Sequence, residues 1–186
     1  MSMTTKLSEL TGDYTVDTAH TRVGFVARHA MVTKVRGEFD DFEATAHLDG
    51  DDPTRSSVNL TIQAKSINTR NEQRDNHLRS NDFLDMENHP TITFTSTGVV
   101  PVDDTTFKVT GDLIIRGVTK PVTVDFELTG TENDPWGNFR VGFEGKVTIN
   151  RKDWGVSWNA ALESGGVLVS EKVTLEFDVA AIRNNS

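Results

Sequence analysis

The stretch Val122-Thr123-Val124-Asp125-Phe126-Glu127-Leu128 decides the fold, because apolar and polar side chains alternate at every position. Successive side chains of a β-strand point to opposite faces, so the pattern is typical of a strand between an apolar interior and water. The same alternation recurs outward along the chain and predicts an all-β domain. Its apolar positions are Val23, Phe25 and Ala27; Val58, Leu60, Ile62 and Ala64; Ile92 and Phe94; Phe107, Val109, Leu113 and Ile115; Phe139, Val141, Phe143, Val147 and Ile149; and Val173, Leu175, Phe177, Val179 and Ala181.

Clusters of turn residues separate these runs, among them Gly50-Asp51-Asp52-Pro53, Arg116-Gly117 and residues 131–138. Short strands at this spacing favour an antiparallel sandwich or barrel. The helical segments that would connect parallel strands are missing from the pattern, so a parallel sheet is not expected.

One segment departs from the alternation and predicts a short helical insertion near residues 69–88. Thr69-Arg70-Asn71-Glu72 matches a capping box, which marks the start of a helix. Residues 72–80 are highly polar, and Phe83, Leu84 and Met86 follow them. We expect a short helix and then a turn that tucks the apolar side chains against the barrel. A plain solvated connection is the alternative.

The bulk composition indicates a single domain. The chain has 186 residues, which fits one folding unit; polar residues 1–12 predict a flexible tail and leave 13–183 as the domain. The net charge of -9 argues against nucleic acid and anionic membrane surfaces as partners. Neither a signal peptide nor an integral membrane segment is recognisable, so we expect a cytoplasmic protein.

The sequence predicts no catalytic residue, metal site or cofactor. Cysteine is absent, which excludes thiol nucleophiles and zinc–thiolate sites. No phosphate-binding loop, nucleophile elbow or zinc-protease motif occurs, and no two histidines have the spacing of metal ligands. The alternative is an enzyme acting on a lipid, with His20, His29 or His77 at the barrel mouth as general base.

Two short segments carry charges of interest. Arg70, Arg74 and His77 follow one another at steps of four and three residues and would share one helix face. Arg74 and His77 are therefore candidate contacts for an anionic head group, with simple charge balance against neighbouring acids as the alternative. Residues 150–155, Asn-Arg-Lys-Asp-Trp-Gly, predict a fixed corner after the strand that ends at Ile149.

The inward faces of the strands carry mostly Val, Leu, Ile and Phe. Such an interior suits an acyl or isoprenoid chain, and it suits a packed core equally well. Parity assigns each residue to a face, although a β-bulge would reverse the assignment. The residues predicted to line a ligand are Phe25, Phe42, Ile62, Phe83, Phe94, Leu113, Val124, Phe126, Phe143 and Trp154.

Four groups of segments stand out when they are read together: Tyr14-Thr15-Val16-Asp17 with Val23-Gly24-Phe25; residues 74–78 with 82–85 and 90–94; residues 111–119; and residues 149–155. In this order and spacing they resemble the YceI-like family of polyisoprenoid-binding proteins. The resemblance runs from about Gly12 to Ile182.

The resemblance implies an extended, lipocalin-like antiparallel barrel of eight strands with a helical insertion. It also implies a long apolar lumen for a polyisoprenoid or similar long-chain lipid, no established catalytic residues, and a homodimer. The leading hypothesis is therefore non-enzymatic binding and carriage of such a lipid. A packed barrel that serves as a stress or interaction module is a further alternative.

Overall fold

The computed structural model describes residues 7–162 and 168–184, and this part of the chain is mostly β-strand. One α-helix, α1 (Glu72–Arg79), accompanies the strands, and no described helix is long and apolar enough to cross a membrane. The predicted all-β class is confirmed. The strands are β1 (Gly12–Val16), β2 (Arg22–His29), β3 (Thr33–Phe39), β4 (Phe42–Leu48), β5 (Ser57–Gln63), β6 (Ile67–Asn68), β7 (Thr91–Pro101), β8 (Thr106–Ile115), β9 (Val118–Asn133), β10 (Phe139–Asn150) and β11 (Lys172–Arg183).

The strands close into an eight-stranded antiparallel barrel. Three barrel strands are each divided by a bend, into β1 and β2, β3 and β4, and β5 and β6. The first two halves, β1 and β2, both pair with β11, and on their other side they pair with β4 and β3 respectively. In the same way β4 pairs with β5, and β3 pairs with β6. β7 pairs with β5, and each strand from β8 to β11 pairs with the strand before it in the chain. The barrel closes where β11 pairs with β2 through Thr174–Asp178 and with β1 through Ala181–Arg183. This up-and-down order is lipocalin-like, as the resemblance implied.

Because neighbouring barrel strands run in opposite directions, the connections gather at two ends of the barrel. The first end is formed by residues 7–11, 49–56, 102–105 and 134–138. The second end is formed by residues 30–32, the insertion 69–90, the turn Arg116-Gly117, and the described parts of the connection after β10, residues 151–162 and 168–171. The helical insertion therefore covers only the second end.

The insertion contains the predicted helix, but the predicted cap is wrong. Asn71 is the N-cap, and its Oδ1 accepts a hydrogen bond from the Arg74 backbone N–H at 2.9 Å. Thr69 is buried instead, and its backbone N–H and its hydroxyl donate to the Asp75 carboxylate at 2.8 and 2.6 Å. The Thr69 side chain thus ties the helix to the strand that precedes it.

The apolar residues after the helix pack onto the barrel as expected. Phe83 is buried, and Leu84 and Met86 pack partly buried against the same core. Apolar side chains at the end of a polar helix can leave water only by folding back over the open barrel end. The insertion is therefore a plug at the second end and not a plain solvated connection.

The N-terminal region differs from the expected tail over residues 1–12. Leu7–Leu10 form a 3₁₀ turn, Leu10 is buried, and β1 begins at Gly12. Leu7 and Leu10 supply apolar surface that packs at the first end, which the polar composition of the segment concealed. Residues 1–6 lie outside the described residues.

Candidate ligand-binding site

The barrel interior holds two cavities, one toward each end. The first cavity has a volume of about 170 Å³, and Leu7, Leu10 and Gly50 contribute to its wall at the first end. The second has a volume of about 160 Å³, and Phe83 and Val156 contribute to its wall at the second end. An engineered apolar cavity of ~150 Å³ in another protein stays dry and binds benzene. Each cavity is therefore large enough to hold part of an apolar ligand.

The two cavities meet at a waist of residues that line both. Val23, Leu60, Phe94, Val124 and Phe177 form this waist, and they come from five different strands. All five side chains are apolar, so a hydrocarbon chain that crosses the waist loses no polar contact. Burial of each methylene group contributes roughly 0.8 kcal/mol, and a chain that fills both cavities gains this over its whole length.

The first end is covered by the turn Leu7–Leu10, which three hydrogen bonds hold in place. The Tyr14 hydroxyl donates to the Leu10 carbonyl at 2.8 Å, and the Arg183 guanidinium donates to the Glu9 carbonyl at 2.9 Å. The Gly50 N–H donates to the Thr11 hydroxyl at 2.9 Å. Tyr14 is fully buried, and burial raises the pKa of its hydroxyl despite the nearby Arg183.

Gly50 allows the turn to approach the barrel closely. A Cβ atom at this position would overlap the Leu7 carbonyl group, which is backbone and cannot rotate away. A side chain at residue 50 would therefore push the cover off the first end.

A charged network lies beside the first end. The Arg140 guanidinium donates to Asp134 Oδ2 and to Asp17 Oδ2, both at 2.7 Å, and His20 contacts the same Asp17 oxygen at 2.8 Å. The Arg140 hydrogen bond lowers the pKa of Asp17 and outweighs the opposing effect of burial. Desolvation also opposes ionisation of Asp134, but hydrogen bonds from Asn138, Arg140 and Trp136 lower its pKa to about 2.

The second end is covered by the plug, which Arg116 fixes to the barrel. The Arg116 guanidinium donates to the carbonyls of Asn81 and Phe83 and, at 2.9 Å, to the Asn81 side chain. The Phe83 ring packs against Trp158 with a centroid distance of 5.3 Å. Trp154 is buried nearby, and its indole N–H donates to the Leu113 carbonyl at 2.9 Å.

Arg151 contributes to the wall of the second cavity, although almost no polar surface is presented there. It is the only charged residue that this wall contains among the described residues, and only 6% of its surface is exposed. Its guanidinium donates to the carbonyls of Val156 at 2.6 Å, Ser170 at 2.8 Å and Val169 at 3.2 Å. Desolvation lowers the pKa of Arg151, and the charge of Glu171 partly opposes this effect.

The structure brings nine of the ten predicted lining residues to the cavity walls. Phe94 and Val124 belong to the waist. Trp154 lies in the core beneath the second end but lines neither cavity. The first cavity is lined by Phe42, Phe126 and Phe143, and the second is lined by Phe25, Ile62, Phe83 and Leu113. Contact of these residues with a ligand stays a prediction.

The two candidate head-group residues, Arg74 and His77, make their contacts outside the cavities. Arg74 donates to the Thr69 hydroxyl at 2.7 Å and to the Thr69 carbonyl at 2.9 Å. His77 contacts Asp82 at 2.8 Å and stands edge-on to the rings of Phe83 and Trp158. Neither lines a cavity, although Leu78 of the same helix lines the second one. Arg151, which was expected only in a fixed corner after β10, lines the second cavity.

The histidines considered as general bases also lie away from the cavities. His20 is exposed and bonded to Asp17, and His29 is exposed at the end of β2. Neither of them, nor His77, contributes to a cavity wall. Among residues 7–162 and 168–184, no three carboxylates or imidazoles cluster as they would around a metal ion.

The fold and this interior define a lipocalin-like barrel with an apolar lumen. The chain belongs to the YceI-like family, since the model of the YceI-like domain matches residues 14–181. A UPF0312 protein from Pseudomonas paraeruginosa is 38% identical over 176 residues, which span 94% of this chain and 88% of that protein.

Solved structures share the fold. Burkholderia cenocepacia BcnA superposes with a TM-score of 0.78 at 24% identity, over 89% of this chain and 98% of that one. A polyisoprenoid binding domain from Saccharophagus degradans, implicated in plant cell wall breakdown, superposes with a TM-score of 0.69 at 16% identity. That match covers 92% of this chain and 98% of the other. At these identities the likeness shows the fold alone.

Proposed function

We propose that the protein binds a polyisoprenoid or similar long-chain amphiphilic lipid in its barrel and carries it without changing it covalently. The observation that carries the proposal is the pair of apolar cavities whose walls share the five apolar waist residues. A short ligand would fill one cavity, whereas a long flexible chain would fill both and gain burial energy along its length. Ligand length is therefore the expected source of affinity.

Membership in the YceI-like family and the likeness to a polyisoprenoid binding domain support a lipid as the ligand. The packed-barrel alternative requires an interior filled by its own side chains, and cavities of about 170 and 160 Å³ do not fit that requirement. A cytoplasmic location and a homodimer stay predictions from the sequence.

The direct test is mass spectrometry of the freshly purified full chain under native and denaturing conditions, followed by organic extraction of whatever denaturation releases. We expect one lipid of defined mass per chain, released only on denaturation. A protein of similar size and acidity, purified in parallel, controls for lipid carried over from the cells. A chain that arrives empty and takes up neither long-chain isoprenoids nor fatty acids would contradict the proposal.

A further inference from the structure

The turn between β2 and β3, residues 30–32, is an apolar hairpin tip at the second end. Met31 and Val32 have 58% and 78% of their surface exposed. Ala30 and Met31 both have positive φ angles, 52° and 62°, which are strained for residues other than glycine. The Ala30 N–H donates to the Leu168 carbonyl at 2.7 Å and fixes the turn against the connection after β10. The hairpin therefore presents two large apolar side chains to solvent on a fixed turn.

Three cations flank this tip. Arg28 and Lys34 are exposed and lie directly opposite each other in the register of β2 and β3. Lys172 is exposed two residues before Thr174, which pairs with Val26. Side chains two positions apart on a strand share a face. The three cations therefore share the outer face of the hairpin and of the neighbouring strand β11.

The charges nearest the tip are unpaired. Within residues 7–162 and 168–184, none of the three cations forms an ion pair with a carboxylate. Arg36, farther from the tip on β3, contacts Glu176 at 3.8 Å. Like charges directly opposite each other destabilise a sheet, so the pair of Arg28 and Lys34 costs the folded protein stability. An anionic partner at this face would offset that cost.

A hairpin at the other end of the barrel has the opposite charge. Val100 and Val102 are exposed there by 57% and 55%, but Asp103 and Asp104 follow them. In contrast, none of residues 26–37 is acidic, although the net charge of the chain is -9. A negatively charged surface would therefore attract the β2–β3 tip and repel the β7–β8 hairpin.

The tip is continuous with the wall of the second cavity. Phe25 and Ala27 of β2 line this cavity, as does Val169, which forms a β-bridge with His29. The insertion 69–90, which covers the same end, carries five acidic residues and three arginines. Attraction to an anionic surface therefore comes from the tip and not from the plug.

We propose that the β2–β3 tip docks the protein on an anionic lipid bilayer. Met31 and Val32 insert at the interface, while Arg28, Lys34 and Lys172 contact the head groups. Burial of apolar side chains and attraction by the negative surface potential add to each other in such a contact. Docking at this site brings the second cavity to the bilayer. The proposal goes beyond lipid binding in the lumen, because docking is measurable with or without a bound ligand.

The test is co-sedimentation of the full chain with vesicles of phosphatidylcholine, with and without phosphatidylglycerol. We expect several-fold stronger binding to the vesicles that contain phosphatidylglycerol, and weaker binding when salt screens the charges. Equal binding to both vesicles, or binding to neither, would overturn the proposal. Native mass spectrometry of the same preparation measures lipid in the lumen separately. Lumenal lipid without vesicle binding would overturn docking alone, and an empty lumen with vesicle binding would overturn the proposed function alone.

Two sets of variants separate the apolar and the charged parts of the contact. Val32→Asp places a carboxylate at the exposed tip, and we expect it to abolish sedimentation with the vesicles. The double variant Arg28→Gln and Lys34→Gln removes the two opposed cations and should weaken binding roughly tenfold or more, because each cation near an anionic bilayer contributes independently. Undiminished binding by either variant would contradict the assignment.

Matched controls lie at the first end. Val102→Asp changes an exposed valine of the β7–β8 hairpin, and the double variant Arg55→Gln and Lys108→Gln removes two exposed cations. Both should bind vesicles like the native chain. If a second copy of the chain covers the tip instead, native mass spectrometry would show a dimer that Val32→Asp dissociates, and that result would overturn docking on a bilayer.

Discussion

The two ends of the barrel are closed by different means. The first end is covered by a single short turn, Leu7–Leu10, on a rim where Asp51, Asp52, Asp103 and Asp104 are exposed. The second end is covered by the plug of the insertion and by the segment around Arg151. The two covers therefore differ in how much chain they use: a four-residue turn covers the first end, and an insertion with a helix covers the second.

The largest expected effect comes from placing a carboxylate in each cavity in turn. Phe143 and Val147 both lie on the inward face of β10, both are partly buried, and they line the first and second cavities respectively. An aspartate in the path of a hydrocarbon chain must be desolvated when the ligand binds, which costs several kcal/mol. We expect Phe143→Asp and Val147→Asp each to abolish binding of a C20 lipid, as measured by native mass spectrometry.

The control for both variants is Lys146→Asp, which adds a carboxylate at an exposed position of the same strand. It should bind lipid normally. Far-ultraviolet circular dichroism establishes that each variant is folded before binding is scored. Normal binding by folded Phe143→Asp would show that the tail stays in the second cavity, which would contradict a ligand that fills both.

A smaller effect is expected on the rate of ligand exchange, and it tests which end opens. Passage of a polar head group through an apolar lumen is costly, so we expect a lipid to enter tail first and to leave its head at the end of entry. Arg116 fixes the plug at the second end and Arg183 fixes the turn at the first, in both cases by donating to main-chain carbonyls. The turn at the first end keeps two further hydrogen bonds when Arg183 is replaced, so we expect Arg116→Met to speed exchange several-fold and Arg183→Met to leave it nearly unchanged.

The two arginine variants are controls for each other, because each loses one guanidinium that holds a cover. Exchange is measured as the transfer of a fluorescent fatty acid from loaded protein to vesicles, with stability checked by thermal denaturation. Faster exchange in Arg183→Met alone would place the entrance at the first end and would contradict entry past the plug.

The strand pattern predicted the inward faces because a strand that is buried on one side carries apolar residues at every second position of its own sequence. Ile92 and Phe94 on β7 are buried as their parity predicts, but the register shift between Ser96 and Gly98 moves the inward position to Val99. A bulge of this kind depends on the pairing with β8 and leaves no local pattern. Closure of the barrel by β11 is likewise a contact between distant segments.

The candidate site was predictable only in its apolar part. Arg151 contacts carbonyls up to 19 residues away, and its place in the cavity wall depends on how the connection after β10 folds back. No spacing of residues marks such a contact. Arg74 and His77 share a helix, as predicted, yet it is Leu78 of this helix that lines the second cavity, and which side chain does so depends on how the insertion packs on the barrel.

The smallest expected effect concerns the charged network at the first end. The pKa of Asp134 is about 2, and that of Asp17 is lowered as well, so both carboxylates favour the folded state when ionised. This contribution is complete above the ordinary aspartate pKa of ~3.9 and is lost as the pH falls toward 2. We expect the melting temperature of the native chain to fall more steeply between pH 5 and pH 2 than that of Asp134→Asn, which lacks the carboxylate at every pH. The control is Glu127→Gln, which removes an exposed carboxylate from the outer face of β9 and should follow the native curve. Parallel curves for Asp134→Asn and the native chain would show that the network adds nothing to the acid sensitivity of the protein.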